Sequence, residues 1–76
     1  MSRKDKLLKQ ALNNPDNLSF SDFENLLRQF QWDFKRQNGS HAIWHSPTGY
    51  RLVIQNRNGK AKGYQVRQFL AQVEEN

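Results

Sequence analysis

Apolar residues recur along this chain with two periods, and the change from one to the other falls at Trp32. Before it, the spacing is helical. Leu7, Leu8, Ala11 and Leu12 share one side of a short helix that starts at a capping-box pattern, Ser2 with Asp5, and ends near Asn13. Asn13-Asn14-Pro15-Asp16-Asn17 then breaks the chain, because proline disfavours helix in the residue before it and Asn and Asp hydrogen-bond locally. Ser19 is the best N-cap, with Asp22 three residues on and Leu18 and Phe23 placed as a hydrophobic staple. Phe20, Phe23, Leu26, Leu27 and Phe30 carry one apolar stripe, which predicts a helix over 19–30.

From Trp32 the period is 2, and three short strands are expected at about 32–37, 41–46 and 50–55. Asn38-Gly39 and Pro47-Thr48-Gly49 supply the turns between them. Residues 56–63 read as a basic loop, and Val66, Phe69, Leu70 and Val73 mark a closing helix over 64–74. The expected class is α+β: a three-stranded antiparallel sheet with two helices on one face, in the order α-β-β-β-α, plus an extra N-terminal helix. Residues 1–17 form that helix and its linker, an appendage docked on the domain of residues 18–76. The sheet's other face is left for ligand.

The chain has 76 residues, no cysteine and 36% hydrophobic residues, enough for one small core. No run reaches the ~18 apolar residues of a membrane span, and the N-terminus lacks a signal-peptide core, so the cytoplasm is the default expectation. The net charge of +5 is unevenly placed. Residues 1–31 nearly cancel, whereas Lys35, Arg36, Arg51, Arg57, Lys60, Lys62 and Arg67 face Asp33 alone between 32 and 73. Such a field gathers a polyanion or an acidic protein. A solvated charged face would produce the same distribution.

His41 follows a tight Gly39-Ser40 turn among cations. Histidine is the side chain that titrates near neutral pH without special help, so it can move a proton beside a phosphate; a half-buried polar residue opening a strand would look the same. The register around it has two solutions. A three-residue loop, Gln37-Asn38-Gly39, sets Lys35 opposite His41 and turns Trp32, Phe34, Ala42 and Trp44 to the helices. A two-residue Asn38-Gly39 turn sets Arg36 opposite His41 and turns Ile43 inward with Phe34. Either register gives His41 a cationic neighbour, and the first is preferred because it buries both tryptophans.

Two other readings fail on geometry. His41 and His45 would lie about 13 Å apart on a strand rising roughly 3.3 Å per residue, too far for one metal ion. Ser40 and His41 would point to opposite faces, which disfavours a triad with Asp33; Ser40 more naturally fixes the turn or contacts a phosphate. The loop containing Arg57, Lys60 and Lys62 is different, since it precedes a helix N-terminus whose free N–H groups attract phosphate. A lysine-rich loop there resembles the phosphate grip of double-stranded-RNA-binding domains.

The run Leu18-Ser-Phe-Ser-Asp-Phe-Glu-Asn-Leu-Leu-Arg-Gln-Phe30, then Arg36-Gln-Asn-Gly-Ser-His41-Ala-Ile, then His45-Ser-Pro-Thr-Gly49 and the basic loop, resembles the HicA toxins of HicA-HicB toxin-antitoxin systems over residues 18–73. Gln31-Trp32 and Gln55-Asn56-Arg57 depart from that pattern, standing where many members carry a glycine and a Pro-x-His segment. The resemblance implies a double-stranded-RNA-binding-like fold and metal-independent endoribonuclease cleavage of mRNA, with no cofactor. It also implies His41 as the catalytic acid or base, and inhibition by a HicB-like antitoxin. Lys35 or Arg36 would then stabilise charge on phosphorus, and Gly39, Ser40, Arg57, Lys60 and Lys62 would hold RNA. The rival readings are a non-catalytic RNA-binding module of the same fold and a domain whose basic face meets only an acidic protein.

Overall fold

A computed structural model describes residues 3–74. Helix α1 spans Arg3–Asn13, a single 3-10 turn spans Pro15–Asn17, and helix α2 spans Phe20–Gln29. Strands β1 (Asp33–Asn38), β2 (His41–His45), β3 (Arg51–Arg57) and β4 (Lys60–Ala61) follow, then helix α3 (Gly63–Glu74). The expected cap at Ser2 lies outside the described residues. The fold class is α+β, as the periodicity predicts, but the antiparallel sheet has four strands, in the order β1-β2-β3-β4.

The second helix starts as its sequence dictates. Ser19 accepts a hydrogen bond from the Asp22 backbone N–H at 3.0 Å, and Leu18 and Phe23 are fully buried beside it. Its C-terminus is closed by Gln31 at φ 67°, with the Gln31 N–H donating to Arg28 O at 3.1 Å and the Trp32 N–H to Leu27 O at 3.0 Å. This is a Schellman closure carried by a residue with a Cβ. It turns Trp32 into the core, where it packs 5.3 Å from Phe69 and 6.2 Å from Tyr50. Phe69 also meets Phe23 at 5.8 Å and Phe30 at 5.6 Å, so one ring of α3 joins α2 to the start of the sheet. Leu7 and Ala11 of α1 belong to the same core cluster.

The structure departs from the sequence pattern at three places. First, residues 56–63 are not a loop: Asn58 (φ 52°) and Gly59 (φ 86°) make a two-residue turn, pairing Arg57 with Lys60 and Asn56 with Ala61. Asn-Gly is a strong signal for this turn, because both central residues need positive φ. The new strand is pinned on its other side, where the Ala61 N–H donates to Leu18 O and the Phe20 N–H to Gly59 O.

Second, neither expected register occurs. The first hairpin turns on Gly39-Ser40, with Gly39 at φ 65°, and Asn38 itself pairs with His41. Glycine at the first central position of a type II′ turn meets that backbone requirement without a Cβ clash. The pairs Gln37 with Ala42 and Arg36 with Ile43 follow, and Lys35 is the extra residue of a β-bulge. Third, Phe34 is 48% exposed, because β1 is an edge strand with no buried residue. Phe34 leans edge-on against Trp44 at 5.5 Å.

Because Gln31 holds a left-handed conformation that costs a residue with a Cβ about 1–2 kcal/mol, and glycine gives back roughly half through unfolded-chain entropy, Gln31→Gly should stabilise the fold by about 0.5–1 kcal/mol. A rise of a few degrees in Tm is the expected readout. An unchanged or lower Tm would contradict this account of the helix end.

Candidate active site

Side chains alternate across a sheet, and the β2–β3 pairing sorts them cleanly. Ala42 pairs with Ile54 and Trp44 with Leu52, all buried against the helices. The intervening pairs, His41 with Gln55, Ile43 with Val53 and His45 with Arg51, therefore share the opposite face. From β1 the same face receives Asn38 opposite His41 and Arg36 opposite Ile43. From the β3–β4 hairpin it receives Arg57 and Lys60.

His41 is exposed on this face, at the first position of β2 beside the Gly39-Ser40 turn. Its direct cross-strand neighbours are Asn38 and Gln55, which corrects the expectation that Lys35 or Arg36 stands opposite it. The cations occupy the diagonals instead. Arg36 on β1 and Arg57 on β3 each lie one diagonal step from His41, a separation of about 7–8 Å that long side chains span. Ile43 is buried and Val53 half-buried, forming an apolar strip between His41 and His45. Lys35 sits apart from this arrangement, in the bulge.

The turn before His41 is tied to the next hairpin. Ser40 O accepts from the Asn56 backbone N–H at 3.0 Å, so a backbone hydrogen bond joins the Gly39-Ser40 turn to the strand that leads into the Arg57 hairpin. Gln37 Nε2 donates to Gly39 O at 2.8 Å and stiffens the turn further. The backbone N–H of Gln55, opposite His41, donates to Gln65 Oε1 at 2.8 Å. Gln65 is buried, and its Nε2 reaches the Tyr64 hydroxyl at 3.2 Å. One amide thus joins α3 to the strand that carries His41's neighbour. The available sequence signal was a polar residue on the apolar side of the closing helix, beside Val66 and one turn before Phe69.

Lys60 and Lys62, with Arg57, line a cleft at the start of α3. The start of α3 has an acid of the protein's own chain beside it. A Cβ on Gly63 would collide with Asp16 Oδ1, so the protein's own carboxylate lies against the first residue of α3, and that carboxylate pairs with Arg67 at 2.8 Å. Among the described residues no group of three or more His, Cys, Asp or Glu gathers as a metal site, and no helix is long and apolar enough to cross a membrane.

A family profile described as the HicA toxin of bacterial toxin-antitoxin systems matches residues 20–74. The chain belongs to the HicA toxin family. No curated protein and no solved structure matches it. HicA membership establishes a toxin component and implies a cognate antitoxin partner. The HicA match includes every open-face residue described above and begins after Asp16 and Asn17.

Replacing Gln65 with Leu should orphan the Gln55 N–H, at a cost of about 1–3 kcal/mol. Urea unfolding should show that loss, and amide exchange at Gln55 should accelerate relative to Ile54. Unchanged stability with unchanged Gln55 protection would show that the amide does not hold this strand.

Proposed function

We propose that this toxin is an endoribonuclease that cleaves mRNA without a metal ion, with His41 as its general acid or base. The observation that carries the reading is His41 exposed at the turn end of β2 on an open sheet face, with Arg36 and Arg57 on its two diagonals. The substrate supplies its own nucleophile. The RNA 2′-hydroxyl attacks the adjacent phosphorus, the P–O bond to the 5′-oxygen breaks, and a 2′,3′-cyclic phosphate and a 5′-hydroxyl end result. One proton leaves the 2′-oxygen and one reaches the 5′-oxygen; His41 handles one of these transfers and water the other. Arg36 and Arg57 offset the negative charge that grows on the phosphoryl oxygens. Gly39 and Ser40 shape the turn that brings a phosphate to His41, and Lys60 and Lys62 hold the strand beyond it. Lys35, in the bulge, adds long-range attraction.

A HicB-like antitoxin would oppose this activity by covering the same face. The rival reading, a non-catalytic RNA-binding module, retains the lysine contacts and removes the proton transfer. His41→Ala separates the two readings. In a chain that remains folded it should abolish growth arrest and lower RNA cleavage by roughly 10²–10⁴-fold, the usual contribution of a positioned acid or base. Cleavage by the unaltered chain should persist in EDTA and stop when the 2′-hydroxyl at the cut site is removed. Undiminished toxicity of folded His41→Ala would overturn the assignment.

A further inference from the structure

Between the β3–β4 hairpin, the first turn of α3 and the Pro15–Asn17 turn lies a cleft of about 700 Å³. That is the size range of small-ligand sites. Its walls carry Arg57, Lys60, Lys62 and Arg67 against the single acid Asp16. These charges are not equally engaged. Arg67 is paired with Asp16 at 2.8 Å, so those two offset each other. Lys60 Nζ donates to Asn17 Oδ1 at 2.6 Å, a neutral partner that orients the ammonium and leaves its charge uncompensated. Arg57, Lys60 and Lys62 therefore present the cleft's net positive charge.

Tyr64 is the other notable wall residue. It is 56% exposed at the start of a helix whose Val66, Phe69 and Leu70 are buried. Its hydroxyl is held by Gln65 Nε2 at 3.2 Å, and Lys62 Nζ stands over one side of its ring, 5.9 Å from the centroid, so a flat partner would take the other side. A ring fixed at its polar end, exposed elsewhere and set among cations offers an apolar face to a flat partner. Cations that track a backbone and an aromatic face that takes a base are the combination that holds single-stranded nucleic acid. A duplex keeps its base faces stacked internally and has none to offer.

We propose that this cleft is a subsite for one unpaired nucleotide of the RNA, with the base stacked on Tyr64 and the flanking phosphates on Arg57, Lys60 and Lys62. The proposal rests on the ribonuclease reading above and extends it. Arg57 joins the two places: it lies one diagonal step from His41 on the open face and also lines the cleft. A strand crossing from Asn38 over His41 and Gln55 continues through Arg57 into the cleft. The substrate is then gripped as a single strand on both sides of the turn.

The test uses the full chain carrying His41→Ala, so that RNA stays intact, and measures binding at low salt to a labelled single-stranded RNA of about ten nucleotides. Adding Tyr64→Ala should weaken binding roughly tenfold, and Tyr64→Trp should restore it. An abasic nucleotide moved along the strand should weaken binding at one position when Tyr64 is present and at none in the Tyr64→Ala chain. Equal binding by the Tyr64→Ala chain, or binding of a duplex as tightly as a single strand, would overturn the subsite while leaving the ribonuclease reading intact. Failure of the Tyr64-containing chain to bind any RNA would overturn both.

Discussion

The register between β2 and β3 is the constraint from which the rest of the molecule follows. Ala42, Trp44, Leu52 and Ile54 are the sheet's contribution to the core, each at most 1% exposed, and they alternate strictly with His41, Ile43, His45, Arg51, Val53 and Gln55. A slip of one residue in β2 would put His41 and His45 in the core and Trp44 in water, a change no compensating contact offsets. Burial of the tryptophan therefore sets the exposure of the histidine. The guanidinium of Arg28, 5.4 Å from the Trp44 ring centroid, and the edge-on Phe34 ring close the same side chain from its outer end.

Much of this was legible in the sequence, and each part that was not has its own physical cause. Ser19 with Asp22, the Leu18–Phe23 staple and the stripes of α2 and α3 are local signals, and the structure follows them. The alternation of β3 is equally local. β4 is two residues long, too short for any period to be read, so only the Asn58-Gly59 turn could have announced it. In the first hairpin, two adjacent turn signals competed. Asn38-Gly39 and Gly39-Ser40 differ by one residue, and the sheet chose the one that lets Asn38 pair with His41. The bulge at Lys35 then absorbs a residue, and Phe34, at the sheet's edge, is left half exposed. The bulge reverses the inward–outward alternation after Phe34, but β1 (Asp33–Asn38) carries no second apolar residue whose position could reveal the change of phase.

The candidate site was legible in its residues but not in its connections. His41, Arg36, Arg57, Lys60 and Lys62 stand out by type and position, whereas Gln55, Gln65 and Tyr64 acquire meaning only through contact. Gln65 is the link between them: its amide accepts from the strand position opposite His41 and donates to the exposed tyrosine of the cleft. The Pro15–Asn17 turn, outside the family match, supplies both Asp16 to Arg67 and Asn17 to Lys60. Charge on this protein is therefore arranged by backbone architecture: hairpin pairing aims Arg57, and a neighbouring turn orients Lys60 and neutralises Arg67. The exposed Asp16–Arg67 pair contributes little to stability and acts mainly on where positive charge remains.

On the proposed ribonuclease reading, RNA lies across the open sheet face on His41 rather than along the helices. Backbone NMR of the unaltered chain, titrated with a single-stranded RNA whose 2′-hydroxyls are methylated to block cleavage, distinguishes the two placements. The largest shift changes should fall at Asn38, His41, Ile43, Val53, Gln55 and Arg57, with the exposed residues of α1 and α2 nearly unmoved. Changes confined to α1 and α2, with His41 and Gln55 silent, would contradict it.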